Sequence, residues 1–133
     1  MLIKEVNNVA FEPMNEIHKN ELQYINNFYN ALEKNEDVKK HYFALLEDIK
    51  KHFEFEEKLM EKYGFFAIVP HKMEHERILK ELTSLEKELT YPDTVKKYLK
   101  NVFVPWLLNH IATIDTVTAG FFKTINAQTD ITT

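Results

Sequence analysis

Apolar residues recur along this chain at helical spacing in four separate stretches. His18, Leu22, Ile25, Tyr29 and Leu32 follow one another at steps of four, three, four and three, which keeps them on one face of a helix over residues 14–34. Pro13 marks its entry, after a short leader over residues 1–12. Tyr42, Leu45, Ile49, His52, Glu56, Leu59 and Tyr63 form a second stripe over residues 38–63. Asn35-Glu36-Asp37 supplies the turn and cap before that helix, and Gly64 stands where a helix commonly ends in a left-handed residue. Phe65 to Val69 reads as an apolar linker closed by Pro70, and a third helix begins near His71. Its stripe is His71, His75, Ile78, Leu82, Leu85 and Leu89. Thr90-Tyr91-Pro92-Asp93 breaks it. A fourth helix over residues 94–123 carries Leu99, Phe103, Trp106, His110, Val117 and Phe121 inward, with a kink near residues 101–104 because Pro105 lacks a backbone donor. Residues 126–133 are polar and read as a frayed tail.

Four helices with connections this short favour an all-α, antiparallel up-and-down four-helix bundle forming a single domain over residues 1–133. Composition agrees, since two glycines and four prolines are too few for a sheet-rich fold with many tight turns. Formal charge is 17 − 21 = −4 and basic runs are absent, which argues against nucleic acid as a partner. The chain has no cysteine, so thiolate ligands, iron–sulfur ligation and disulfides are excluded. No apolar run approaches the ~18 residues of a membrane span, and the N-terminus lacks the apolar core of a signal peptide. A cytoplasmic protein without a membrane partner is the expectation.

Five of the six histidines, with two carboxylates, continue the apolar stripes: His18, then His52 with Glu56, then His71 with His75, then His110 with Asp115. Residues four apart on a helix are offset by about 40°, so His52/Glu56 and His71/His75 can each face one centre. A five-residue step leaves His110 and Asp115 about 140° apart on an ideal helix. Either a π-type bulge lies between them, or Asp115 straddles a wider site. Unpaired buried ions cost several kcal/mol each, which a domain with ~5–15 kcal/mol of total stability could not absorb. Metal coordination satisfies all seven groups together. Seven ligands are too many for one ion, and the imidazole-rich set suits iron. The reading is two iron ions bridged by carboxylates. His41 lies beside two lysines, off the stripe, and reads as a surface residue.

The neighbours of these residues resemble those of the hemerythrin family. His52-Phe53-Glu54-Phe55-Glu56-Glu57-Lys58-Leu59-Met60 is similar to its H-F-x-x-E-E-x-x-M signature. His71-Lys72-Met73-Glu74-His75 matches H-x-x-x-H, and the stretch from Trp106 to Asp115 matches W-L-x-x-H-I-x-x-x-D. The first helix matches least: it keeps His18 but has Asn15 where bacterial members often have aspartate.

The resemblance implies one iron held by His71, His75 and His110 and another by His18 and His52. Glu56, Asp115 and an oxo or hydroxo group would bridge them. The iron with two histidines would keep an open position for dioxygen, nitric oxide or a small anion, walled by Phe53, Trp106, Leu107 and Ile111. The implied function is reversible dioxygen binding for storage, delivery or sensing, rather than catalysis. The alternatives are an enzyme acting on nitric oxide or peroxide, or an iron donor for iron–sulfur cluster repair. A protein partner stays open. Ala112 and Thr118 stand where the family commonly has larger residues; both facing the open iron would make a roomier pocket.

Overall fold

The computed structural model describes residues 2–128. Helix α1 spans Glu12–Lys34, α2 Val38–Tyr63 and α3 Ile68–Ser84, followed by a single 3₁₀ turn over Leu85–Glu88. The fourth limb of the bundle is one continuous helical rod with two widened turns. It runs as α4 (Pro92–Tyr98), a π segment (Leu99–Phe103), α5 (Val104–His110), a second π segment (Ile111–Asp115) and α6 (Thr116–Thr124). Asn35 and Gly64 end α1 and α2 in left-handed conformation, with φ of 53° and 62°. Asp37 precedes α2 but makes no side-chain cap bond. Pro13, Pro70 and Pro92 all fall in first turns, where the missing N–H has no helical acceptor to serve. Pro70 therefore lies inside α3, which begins at Ile68, and does not close a linker.

The leader is an extended arm pinned against α1 by two asparagines. Asn26 donates to the Ile3 carbonyl at 2.8 Å and accepts its N–H at 3.0 Å. Asn15 does the same for Val9 at 3.0 and 2.7 Å. Each amide side chain stands in for a strand partner, so the arm's backbone is satisfied while Ile3 and Phe11 reach the core. Of the expected frayed tail, residues 129–133 lie outside the described residues. The part before them folds back: Ala127 N–H bonds Phe122 O at 2.9 Å, and Gln128 N–H donates to Tyr63 Oη at 2.9 Å.

Two apolar clusters fill the bundle, and the histidines lie between them. The larger takes Ile25, Phe28 and Leu32 from α1, Leu45 and Ile49 from α2, Ile78 and Leu82 from α3, and Leu99, Phe103 and Leu107 from the fourth limb. The smaller takes Phe11, Met14, Leu59, Met60, Phe65, Ala119 and Phe122. Along α1 and α3 the chain passes from small cluster to large, and along α2 and the fourth limb from large to small. That alternation is the antiparallel up-and-down bundle.

The fourth limb departs from the periodic pattern after His110. A π turn holds one more residue than an α turn, which rotates everything downstream by about 100°. Val117, expected inward, is 52% exposed, while Thr118, Ala119 and Phe122 are buried. Three threonines support the widened turn: the hydroxyls of Thr113, Thr116 and Thr118 donate to the carbonyls of Asn109, Ile111 and Ile114 at 2.7, 2.7 and 3.0 Å. The first π segment ends two residues before Pro105, which has no N–H to offer the preceding turn. Ala112 is exposed, so it does not line the metal site, whereas Thr118 is buried with its hydroxyl 2.9 Å from Nδ1 of His71.

This phase shift has a direct consequence for stability. Phe122→Ala is expected to cost about 3–5 kcal/mol in denaturant unfolding, whereas Val117→Ala stays within about 0.5 kcal/mol. Equal losses at the two positions would contradict the observed register.

Candidate metal centre

All seven residues picked out by spacing converge, and all seven are buried. They form two groups that share Glu56: Glu56 with His71, His75 and His110, and Glu56 and Asp115 with His18 and His52. Within each group the ligand atoms lie within 4.8 Å of one another. The π turn over Ile111–Asp115 is what brings Asp115 onto the face of His110. The π-type bulge that the five-residue step allows is present, and Asp115 also reaches both groups.

Each carboxylate divides its oxygens between the groups. Glu56 Oε1 lies 3.1 Å from His71 Nε2 and 3.3 Å from His75 Nε2, while its Oε2 lies 2.6 Å from His52 Nε2. Asp115 Oδ1 lies 3.1 Å from His110 Nε2 and 3.3 Å from His71 Nε2, while its Oδ2 lies 3.1 Å from His18 Nε2. Three imidazoles thus face one side of the carboxylate pair and two face the other.

On the three-imidazole side the close approaches are not hydrogen bonds. Nε2 of His71, His75 and His110, Glu56 Oε1 and Asp115 Oδ1 are all buried without a hydrogen-bond partner among the described residues. Orphaned buried groups are rare in folded proteins. Here five aim at a common space and stand where metal ligands would. Two donors about 2.1 Å from one ion and at right angles to each other sit about 3 Å apart. The separations of 3.1 to 3.3 Å match that spacing. The residues fit a pair of cations.

Electrostatics point the same way. Burial and the adjacent Glu56 carboxylate would raise Asp115, but the imidazoles of His110, His18 and His71 hold it well below the usual carboxylate range. Burial would raise Glu56 too, and His52, His71 and His75 hold it well below. Burial would lower His71, yet Asp115 and Glu56 push it up to about 9. Against burial, Glu56 and Glu21 raise His52 well above the ordinary value. The site is a set of anionic and cationic groups held by one another, and a metal ion would take the place of the imidazole protons.

Two of the four residues expected to wall the open position stack on ligand imidazoles. Phe53 is stacked on His75, with ring centroids 3.8 Å apart and planes 3° from parallel. Trp106 stacks on His110 at 4.6 Å and 22°, its indole N–H donating to Glu74 at 3.1 Å. These two rings back imidazoles of the three-histidine group. Leu107 and Ile111 belong to the larger core cluster. His41 stays apart, beside Asn27, Asn30 and Glu36 in a polar pocket. Sequence reasoning missed the groups behind the histidines. His52 Nδ1 meets Glu21 at 2.8 Å, His75 Nδ1 meets Glu57 at 2.9 Å, and His71 Nδ1 meets Thr118 at 2.9 Å. One signal was available for Glu21: it falls one turn after His18 on the same buried face.

These shifts set how the metal-free protein responds to pH. Imidazoles raised above their unfolded value of about 6.5 contribute stability that is complete below that pH and lost as pH rises through the folded value, about 9 for His71. The depressed carboxylates contribute stability present above about pH 4 and lost as pH falls. Metal-free protein is therefore expected to melt progressively lower between about pH 6.5 and 9. With metal bound and the imidazoles already deprotonated, that decline disappears. Melting curves across this range for chelated and metal-loaded protein check it. A melting temperature that rises with pH in the chelated form contradicts it.

Comparison with known proteins agrees with this site. The family model described as "Hemerythrin HHE cation binding domain" matches residues 9–121, a span holding all seven groups. A bacteriohemerythrin of Aquifex aeolicus is 37% identical over 111 residues, covering 80% of this chain and 85% of that protein. A bacteriohemerythrin of Methylococcus capsulatus is 28% identical over 101 residues, covering 74% and 77%. No solved structure matches the chain. With the family signature spread over three helices and the seven groups gathered between the two core clusters, the chain belongs to the hemerythrin family.

Proposed function

We propose that this chain holds two iron ions and binds dioxygen reversibly. In this reading His71, His75 and His110 would hold one iron and His18 and His52 the other, with Glu56 and Asp115 shared between them. The observation that carries it is the unequal division of imidazoles, three against two, across a carboxylate pair whose oxygens face both sides. The position with fewer donors is the one with room for an added ligand. When bound, the iron pair supplies ferrous–ferric redox chemistry and a coordination position for a diatomic ligand.

The protein's own contribution is to orient the donors and exclude water. Phe53 and Trp106 hold the planes of His75 and His110 by stacking, which fixes where Nε2 points. Leu107 and Ile111, with 3% and 1% exposure, keep the side toward the larger core dry, and a dry site retards irreversible oxidation. Nitrogen donors outnumber carboxylates five to two, a set with little anionic charge for stabilising high-valent iron, which supports ligand binding over oxidation chemistry. The name bacteriohemerythrin carried by two relatives agrees with this reading.

Anaerobic reconstitution with ferrous iron is expected to load about two irons per chain and little zinc, since the donor set favours nitrogen. Optical spectra through repeated cycles of air and vacuum then alternate between two reproducible forms. One metal per chain, or zinc displacing iron, overturns the two-iron reading. Irreversible bleaching in the first air cycle, with iron content intact, overturns reversible oxygen binding alone.

A further inference from the structure

Each of the five imidazoles turns one nitrogen into the centre, and the other nitrogen is served unequally. Nδ1 of His18 and of His110 has no hydrogen-bond partner among the described residues. Nδ1 of His71 faces the hydroxyl of Thr118. Two imidazoles have carboxylates, and these fall one to each group: Glu21 behind His52 at 2.8 Å and Glu57 behind His75 at 2.9 Å. Both reach across from a neighbouring helix, α1 to α2 and α2 to α3.

The two carboxylates differ in exposure. Glu21 is buried, with 2% of its side chain exposed. Glu57 has 26% exposed and opens into a groove of about 360 Å³ between α2 and α3, lined also by Lys50, Lys58 and Glu76. A carboxylate accepting the Nδ1–H fixes the tautomer, leaves the Nε2 lone pair facing inward and makes the imidazole a stronger donor. Water in the groove screens that effect at Glu57, and nothing comparable screens it at Glu21.

We propose that Glu21 and Glu57 are positioning residues that tune the two metal positions separately, with the buried Glu21 acting more strongly, on the two-histidine position. This rests on the reading that both groups take a metal ion. A purely structural role asks only for a hydrogen-bond acceptor of the right reach, and glutamine provides that. The charge is what glutamine lacks. The position with fewer imidazoles thereby receives the less screened negative charge, which compensates part of its missing donor and favours its ferric state.

The test titrates metal-free wild type, Glu21→Gln and Glu57→Gln with Co(II), following visible absorption through both binding steps, and then measures midpoint potentials of the iron-loaded proteins. Glu21→Gln is expected to weaken one step by about 10–100-fold and leave the other unchanged. Glu57→Gln weakens the other step by less, and added salt shrinks its difference from wild type but not that of Glu21→Gln. Midpoint potential rises in both, more in Glu21→Gln. Two variants that weaken the same step, or that leave both steps at wild-type values, overturn the assignment. Glu57 is partly exposed, so its variant decides the matter even where Glu21→Gln does not fold: a one-step loss supports the assignment, and no loss overturns it. Wild type taking up fewer than two Co(II) ions overturns the two-metal reading itself and the assignment with it.

Discussion

Two fully buried carboxylates, Glu56 and Asp115, set the terms for the rest of this bundle. An ion taken out of water costs several kcal/mol unless it is compensated, and the whole fold has only about 5–15 kcal/mol to spare. Five imidazoles from four helical limbs converge on them for that reason. Without metal, the compensation comes from imidazole protons, and the orphaned atoms on the three-imidazole side show that it is incomplete. With metal, one pair of cations satisfies both carboxylates and all five rings. The apolar clusters above and below position the site, but the charge at the centre decides which side chains can stand there.

The same constraint explains why the helices are not all regular. On an unbroken α-helix, Asp115 would point well away from His110, and the centre would lose its second carboxylate. The π turn over Ile111–Asp115 corrects the angle, and three threonine hydroxyls take up carbonyls around it. The cost appears downstream as a rotated face, with Thr118 and Phe122 inward and Val117 in water. Local irregularity is here part of how the site is made.

Much of this was legible in the sequence because metal ligation and burial use the same periodicity. His52/Glu56 and His71/His75 announce themselves as four-residue steps within apolar stripes, and the stripes define the helices. The stripe from His71 to Leu89 is buried throughout as read, although α3 ends at Ser84 and a 3₁₀ turn carries the stripe on. Two kinds of information were not available from spacing. A π turn leaves no mark in hydrophobic periodicity until the phase beyond it is known, so the stripe puts Val117 on the wrong face. Hydrogen bonds between helices depend on tertiary juxtaposition, so spacing alone does not show that Glu21 and Glu57 each meet an imidazole on the next helix. The arm pinned by Asn15 and Asn26 was hidden for the same reason.

The central claim is that seven side chains from four limbs hold two ions between them. Anomalous diffraction at the iron absorption edge, from crystals of iron-loaded protein, tests it most directly. The account requires two peaks in the bundle interior, one against His71, His75 and His110 and the other against His18 and His52, with Glu56 and Asp115 reaching both. A single peak, or a peak away from these residues, contradicts it.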